Sequence, residues 1–243
     1  MMWFQKNKWK IMIPAIIVAV LVAAFYFGGN APGSKGWEIP GNMSSNSTLS
    51  GDATTDSEQI PSGMIIDPSG MIIDPETGKD QYLTDPVPEG KPAPVEPQDV
   101  TIGTTAYTCT ISISCSTILN NMDLCDPAKV DLVPADGWIL RPITVTFYQG
   151  ESVFNVLQRV CKQQKIHMEF ENTPIYNSAY IEGIHNLYEF DVGELSGWMY
   201  KVNEWFPNYG CSRYALKNGD IINWVYTCDL GHDVGGGYAV GNK

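Results

Sequence analysis

The stretch PITVTFYQGESVFNVLQRVCKQQK, residues 142–165, decides the fold class of this chain. In its first part Ile143, Val145 and Phe147 alternate with other residues, a period of two that is typical of a half-buried strand. The spacing then changes, and the apolar residues of 153–161 recur every three or four positions, as on one face of a helix. A strand followed directly by an amphipathic helix predicts a fold that contains both kinds of element.

The two-residue alternation recurs on both sides of the predicted helix. AYTCTISISC (106–115) precedes it, and GDIINWVYTC (219–228) follows it, entered through Asn218-Gly219, a strong turn signal. Shorter strands are predicted in IHMEFE, SAYIEGIH, NLYEF and GWMYKVN. One helix among about six strands predicts an α+β roll over residues 105–233, with 234–243 as a flexible tail.

An uncharged apolar run, residues 11–27, follows the basic segment 1–10 with its lysines at positions 6, 8 and 10. At 1.5 Å per residue the run is about 25 Å long, the short end of what crosses a bilayer. Lysines before the run and acids after it predict a signal-anchor, with the N-terminus in the cytoplasm and the rest of the chain outside the membrane. A cleaved signal peptide is the alternative, and it exports the chain equally.

Residues 28–104 are rich in Gly, Pro, Ser, Thr and acids, a composition that predicts a disordered tether. The heptad PSGMIID occurs twice in tandem, at 61–67 and 68–74. Two copies are too few for a solenoid, so either replication slippage or a short ligand motif presented twice explains them.

The formal net charge of the chain is −12. A protein this acidic has no clustered Lys and Arg with which to displace the counterions of a nucleic acid, so that class of partner is excluded.

The six cysteines all lie in the last 135 residues, and none forms a C-x-x-C pair. An even number in an exported chain is typical of disulfides, for which fifteen connectivities are possible. The Asn218-Gly219 turn lies between Cys211 and Cys228, which favours a bridge there. The predicted pairs are Cys211–Cys228 and, as the remainder, Cys115–Cys161 and Cys109–Cys125.

The segment SGWMYKVNEWFPNYGC (196–211) concentrates aromatic residues around an irregular loop that contains Pro207 and Gly210. A loop cannot easily bury three large rings, so we expect at least one of them to be exposed for ligand or partner binding. Packing of the rings over the end of the sheet is the alternative. The predicted ligand-binding residues are Asn203, Trp205, Phe206, Asn208, Tyr209 and Ser212.

The segments TVTFYQGESVFNVLQRVC, IEGI and SGWMYKVNEWFPNYGCSRYALKNGDIINWVYT together resemble the transcobalamin-like C-terminal domain family. That family includes the β-domain of the vitamin B12 carriers and bacterial surface domains of unknown function. The resemblance covers residues 105–233 and implies a β-grasp-like roll, with one helix packed on a mixed sheet. It also implies a corrinoid ligand such as cobalamin, held between this domain and an α/α barrel. Residues 28–104 cannot supply a barrel, so either a barrel-containing partner provides the other half of the site, or this domain binds something else.

Catalysis finds little support in the sequence. GELSG does not match the G-x-S-x-G elbow, because Ser196 lies one place late. A Cys161–His167 nucleophile and base is disfavoured, since Cys161 falls on the apolar face of the helix. Asp229, His232 and Asp233 are candidate metal ligands, but the segment GGGYAVGNK that follows them is typical of a frayed tail. Neither an enzyme nor a metal site is predicted. The sequence predicts a membrane-tethered, extracytoplasmic ligand-binding module. The alternative is a cell-surface domain that binds protein or glycan.

Overall fold

The structure is a computed structural model that describes residues 60–68 and 70–240. The predicted cytoplasmic segment 1–10, the membrane span 11–27 and the first part of the tether, 28–59, lie outside the described residues. Within the described part of the chain, no helix is long and apolar enough to cross a membrane.

The described chain is built from one α-helix and nine strands, with several short 3-10 turns between them. The strands are β1 (Ile65–Ile66), β2 (Ile72–Ile73), β3 (Ala106–Ser114), β4 (Trp138–Tyr148), β5 (Met168–Thr173), β6 (Ser178–Ile184), β7 (Leu187–Tyr188), β8 (Gly197–Val202) and β9 (Ile221–Thr227), and the helix α1 is Val153–Gln164. The predicted α+β class, with one helix and a mixed sheet, is confirmed.

The main sheet has the strand order β4-β3-β9-β8. The central pair β3 and β9 is parallel, with Ile113 opposite Trp224, whereas both outer pairs are antiparallel. A parallel pair requires a long crossover connection, and here that connection includes β4, α1 and the small sheet β5-β6-β7. The crossover brings the predicted first and last long strands together in the middle of the domain.

Helix α1 forms where the sequence predicts it, because both ends are well capped and one face is apolar. The Ser152 hydroxyl accepts a hydrogen bond from the backbone N–H of Asn155, whose side-chain oxygen accepts one from the Ser152 N–H. The helix ends at Lys165, whose φ of 57° is left-handed. The residues that α1 buries are Val153, Val156, Leu157, Val160 and Cys161, as the spacing predicts.

The predicted disorder of residues 28–104 is wrong for the part that the structure describes, because residues from 60 onward belong to the same compact unit as the sheet. The two identical heptads pair as the hairpin β1–β2 but have different environments. Ile65 and Ile66 of the first copy are exposed, whereas Met71 and Ile73 of the second copy are buried in the main core.

Residues 79–98, which we call the strap, are held against the domain by Arg213. The guanidinium is 1% exposed, and its Nη2 lies 2.6 Å from Asp80 Oδ2 and 2.7 Å from Glu96 Oε1. Its Nη1 donates to Thr84 Oγ1 at 2.6 Å, and its Cζ lies 5.1 Å from the ring centroid of Tyr82. Two of the acids in the predicted tether, Asp80 and Glu96, are therefore counterions of a buried cation in the domain.

The structure contains none of the predicted disulfides, and all six cysteines are free thiols in it. Cys109, Cys161 and Cys211 lie in the main core, and the other three lie in or against a smaller cluster around Tyr226. Each predicted pair joins one cysteine from the main core to one from the smaller cluster. Cys211 and Cys228 lie on either side of a turn in the sequence, but this placement does not show that they pack into different clusters.

The predicted flexible tail is ordered as far as the structure describes it. Gly237–Val240 forms a 3-10 turn, and the Tyr238 hydroxyl accepts a hydrogen bond from the Phe206 N–H at 3.0 Å. The end of the described chain therefore packs against the aromatic loop rather than fraying.

Replacing Arg213 by Met should destabilise the fold by about 3–5 kcal/mol, since it leaves Asp80 buried without its counterion. Urea denaturation of the purified protein measures the change. As a control, Arg141→Met removes an exposed ion pair with Asp136 and should cost no more than about 1 kcal/mol. Equal losses in the two variants would contradict the structural role of Arg213.

Cys161 should make stability fall at alkaline pH. Burial raises the pKa of this thiol from 9.0 to about 12, so the native state keeps a proton that the unfolded chain releases. The contribution of Cys161 to the free energy of unfolding is complete below pH 9. It is lost as the pH rises toward 12, by about 1.4 kcal/mol per pH unit.

Urea denaturation between pH 9 and pH 10.5 compares the wild type with Cys161→Ala. In this variant the free energy of unfolding should fall less steeply with pH, because the thiol that titrates is absent. Val160→Ala, the adjacent buried helix position, should lower the stability but keep the wild-type slope. A Cys161→Ala variant with an unchanged slope would show that the thiol does not titrate in this way.

Candidate functional site

The aromatic loop begins with a two-residue turn that the sequence builds from Asn203 and Glu204. Both have positive φ, 50° and 63°, and the flanking Val202 and Trp205 exchange backbone hydrogen bonds. The Asn203 Oδ1 accepts from the Ile221 N–H at 3.0 Å, and its Nδ2 donates to Asp220 Oδ1 at 2.8 Å. Asn203 thus holds the turn in place instead of contacting the cavity described below.

The three rings of the loop are all buried, which corrects the expectation that at least one is exposed. Trp205, Phe206 and Tyr209 are 6%, 3% and 7% exposed. The strap covers two of them: the Tyr209 hydroxyl donates to the Pro92 carbonyl at 2.8 Å, and Lys91 Nζ lies 5.5 Å from the ring centroid of Trp205. Phe206 lies against Gly236 and Tyr238 near the end of the described chain. A loop can bury three rings when another segment of the chain lies over it.

Ser212 also has a structural role. Its Oγ accepts a hydrogen bond from the Ala179 N–H and lies 3.0 Å from Ser178 Oγ, which ties the loop to β6. Ser212 faces a separate groove of about 510 Å³ that lies between residues 95–102 and the start of α1.

The structure does not bring the six predicted residues to one site. Trp205 and Phe206 line a groove of about 480 Å³ under the strap, whereas Tyr209 lines a neighbouring cavity. Of the six predicted residues, only Asn208 borders both of these concavities.

The neighbouring cavity, about 440 Å³ in volume, is the strongest candidate site, and we call it the aromatic cavity. Its walls come from the strap turn at Tyr82–Thr84, from β6 and β8, from the aromatic loop and from Trp224 of β9. A volume of this size is within the range of small-molecule sites. The rings that line it are Tyr82, Tyr176, Tyr180, Trp198, Tyr200, Tyr209 and Trp224.

Two of the tyrosines stay neutral at physiological pH. Burial raises the pKa of Tyr200 and Tyr209 well above the usual value, so both hydroxyls keep their protons. The Tyr200 hydroxyl donates to the Tyr209 carbonyl at 2.8 Å, and the Tyr200 ring lies 5.5 Å from the Trp224 ring. These contacts fix the back wall of the aromatic cavity.

Residues that line the aromatic cavity carry most of the buried polar atoms that lack a hydrogen-bond partner. Within the described residues, four buried side-chain atoms have no hydrogen-bond partner, and three of them belong to cavity-lining residues: Asn208 Oδ1, Arg213 Nε and Trp224 Nε1. Buried polar atoms are nearly always paired in native proteins, so these three atoms mark groups that an additional molecule can satisfy.

The described residues offer little for metal binding or nucleophilic catalysis. Among them, no group of three or more His, Cys, Asp or Glu side chains is placed to hold a metal ion. The Cys161 thiol is buried on α1 with a pKa of about 12, so it is a poor nucleophile.

Sequence reasoning missed most of the aromatic cavity. Tyr82 and Thr84 lie in the segment predicted to be disordered, and Arg213 gave no signal because its partners are far away in the sequence. Trp198 and Trp224 were assigned to strands, which is correct, but strand alternation does not show that their rings also border a cavity.

Comparisons with known proteins add a family match and two distant structural likenesses. Residues 150–227 match the family described as "Domain of unknown function (DUF4430)", less than half of the chain. No curated protein matches.

The chain is similar to haptocorrin in complex with Cbi, with 14% identity and a TM-score of 0.39 over 52% of this chain and 26% of haptocorrin. It is also similar to a metal-binding candidate protein from Ruminococcus gnavus, with 11% identity and a TM-score of 0.30 over 50% of this chain and 96% of that chain. TM-scores this low carry no argument about function.

Proposed function

We propose that this domain binds a flat, mainly apolar small molecule in the aromatic cavity. The observation that carries the proposal is that one cavity of about 440 Å³ is lined both by aromatic rings and by three residues that each have a buried polar atom without a partner. Stacking on rings supplies affinity, and a few polar atoms fix the orientation of the ligand. No bond-forming step is part of the proposal, and the protein is not proposed to be an enzyme.

A corrinoid such as cobalamin, shared with a barrel-containing partner, is the more specific form of the proposal. A corrin macrocycle is larger than the aromatic cavity, so only its periphery would enter. The remainder would lie against the partner. We also propose that the domain lies outside the cell membrane, tethered through residues 11–27.

Binding to a protein or glycan at the cell surface is the second candidate function. It is favoured by the exposed apolar side chains Ile175 and Tyr176, 61% and 52% exposed, which lie in the 3-10 turn that also contributes to the mouth of the aromatic cavity. A surface of this kind fits a partner that covers the cavity mouth rather than a molecule enclosed in it.

Indole, a neutral planar probe, should bind the purified protein, and Tyr180→Ala should weaken binding about fivefold because it removes one stacking wall. Ligand-observed NMR titration measures the affinity. Tyr148→Ala is the matched control, since Tyr148 is 44% exposed, Tyr180 is 45% exposed, and Tyr148 does not line the aromatic cavity.

Equal affinity of the two variants would place indole elsewhere, and the absence of indole binding would remove the small-molecule proposal. Cobinamide, followed by corrin absorbance and tryptophan quenching, tests the more specific form. If cobinamide does not bind while indole does, the corrinoid is rejected and the aromatic cavity remains the proposed site.

A further inference from the structure

We propose that the ligand of the aromatic cavity presents a neutral carboxamide or lactam group to Asn208, Arg213 and Trp224. This inference rests on the proposed function and adds the chemical class of the ligand. The three residues each have a buried polar atom that no described protein atom satisfies. The class of ligand follows from what those atoms require.

Two of the atoms are donors. The Trp224 Nε1–H and the Arg213 Nε–H both need an acceptor, and neither atom can accept. The other guanidinium nitrogens are already occupied, because Nη1 donates to Thr84 and Nη2 to Asp80 and Glu96. A carbonyl oxygen has two lone pairs and therefore suits this pair of donors.

The third atom is an acceptor. Asn208 Nδ2 donates to the Asp85 carbonyl oxygen at 2.9 Å, and since a carbonyl can only accept, this bond fixes which way the amide of Asn208 points. Its Oδ1 is left buried and needs a donor. A group that accepts at one atom and donates at the next meets both requirements, and a carboxamide or lactam does so within one plane.

The charges near the aromatic cavity favour a neutral ligand. The single positive charge of Arg213 is in direct contact with two carboxylates, Asp80 and Glu96, so the group as a whole is negative. A carboxylate ligand would be repelled by this surplus. An ammonium ligand would leave the two N–H donors without an acceptor.

The turn of the strap is the wall that must move to admit the ligand, because the three atoms are buried and the strap covers Arg213. Leu83, at the mouth of the aromatic cavity, has a φ of 62°, a left-handed conformation that is strained for a bulky residue. Opening the Tyr82–Thr84 turn releases this strain and transiently breaks the hydrogen bonds of Thr84 to Asp80 and Arg213. The side chain of Leu83 is 47% exposed, so its movement uncovers little core.

A matched series of one-ring probes tests the inference on the full chain by ligand-observed NMR. The series consists of benzamide, N,N-dimethylbenzamide, toluene, benzoate and benzylamine. Benzamide should bind most tightly. Loss of its N–H donor in the dimethyl compound should weaken binding about fivefold, and benzoate and benzylamine should bind more weakly than benzamide.

Trp224→Phe removes the Nε1–H donor and keeps an aromatic ring in the wall. It should weaken benzamide binding about fivefold and leave toluene binding nearly unchanged. Trp138→Phe, in β4 and outside the aromatic cavity, is the control and should alter neither. Thermal unfolding of each variant checks that the fold is kept.

The outcomes separate the inference from the function on which it rests. Toluene, benzoate or benzylamine binding as tightly as benzamide would overturn the carboxamide class while leaving the aromatic cavity as a binding site. A Trp224→Phe variant that weakens toluene and benzamide equally would also overturn it. If none of the five probes binds, the proposed function fails together with the inference.

Discussion

The ion pairs of Arg213 hold together two segments that lie up to 133 residues apart in the sequence. A buried charge is unfavourable unless it is paired, and here Asp80 and Glu96 provide the pairing. Because both acids belong to the strap, satisfying the cation also fixes the strap over the aromatic loop. The strap in turn completes the wall of the aromatic cavity at Tyr82–Thr84. The candidate site therefore depends on one charged contact between distant parts of the chain.

Local periodicity predicted the parts of the fold that are locally determined. The apolar face of α1 and the alternation in β3 and β9 both reflect burial of one side of a regular element, so the sequence pattern reveals them. The parallel pairing of β3 with β9 could not be predicted in the same way, since it joins strands separated by the whole of the crossover connection. The fold class was predictable from the sequence, whereas the order of the strands in the main sheet required the structure.

Predictions for the strap, the rings and the cysteines failed for one common reason. Each treated a segment as though only its own residues decided its environment. The strap contains few apolar residues, but its acids pair with Arg213. Trp205 and Tyr209 lie in a loop, but the strap covers them. Cys211 lies near Cys228 along the chain, but the two pack in different clusters. Contacts that are distant in sequence decided all three.

The strap and the aromatic cavity are linked thermodynamically, because the cavity is complete only while the strap is docked. A ligand that binds only the complete cavity stabilises docking of the strap, and by reciprocity a docked strap raises the affinity for that ligand. The strap is also the only covalent route between the sheet and the chain that precedes it. Because residues 82–84 of the strap form one wall of the cavity, undocking of the strap removes that wall, so residues 79–98 belong to the candidate site and are more than a spacer.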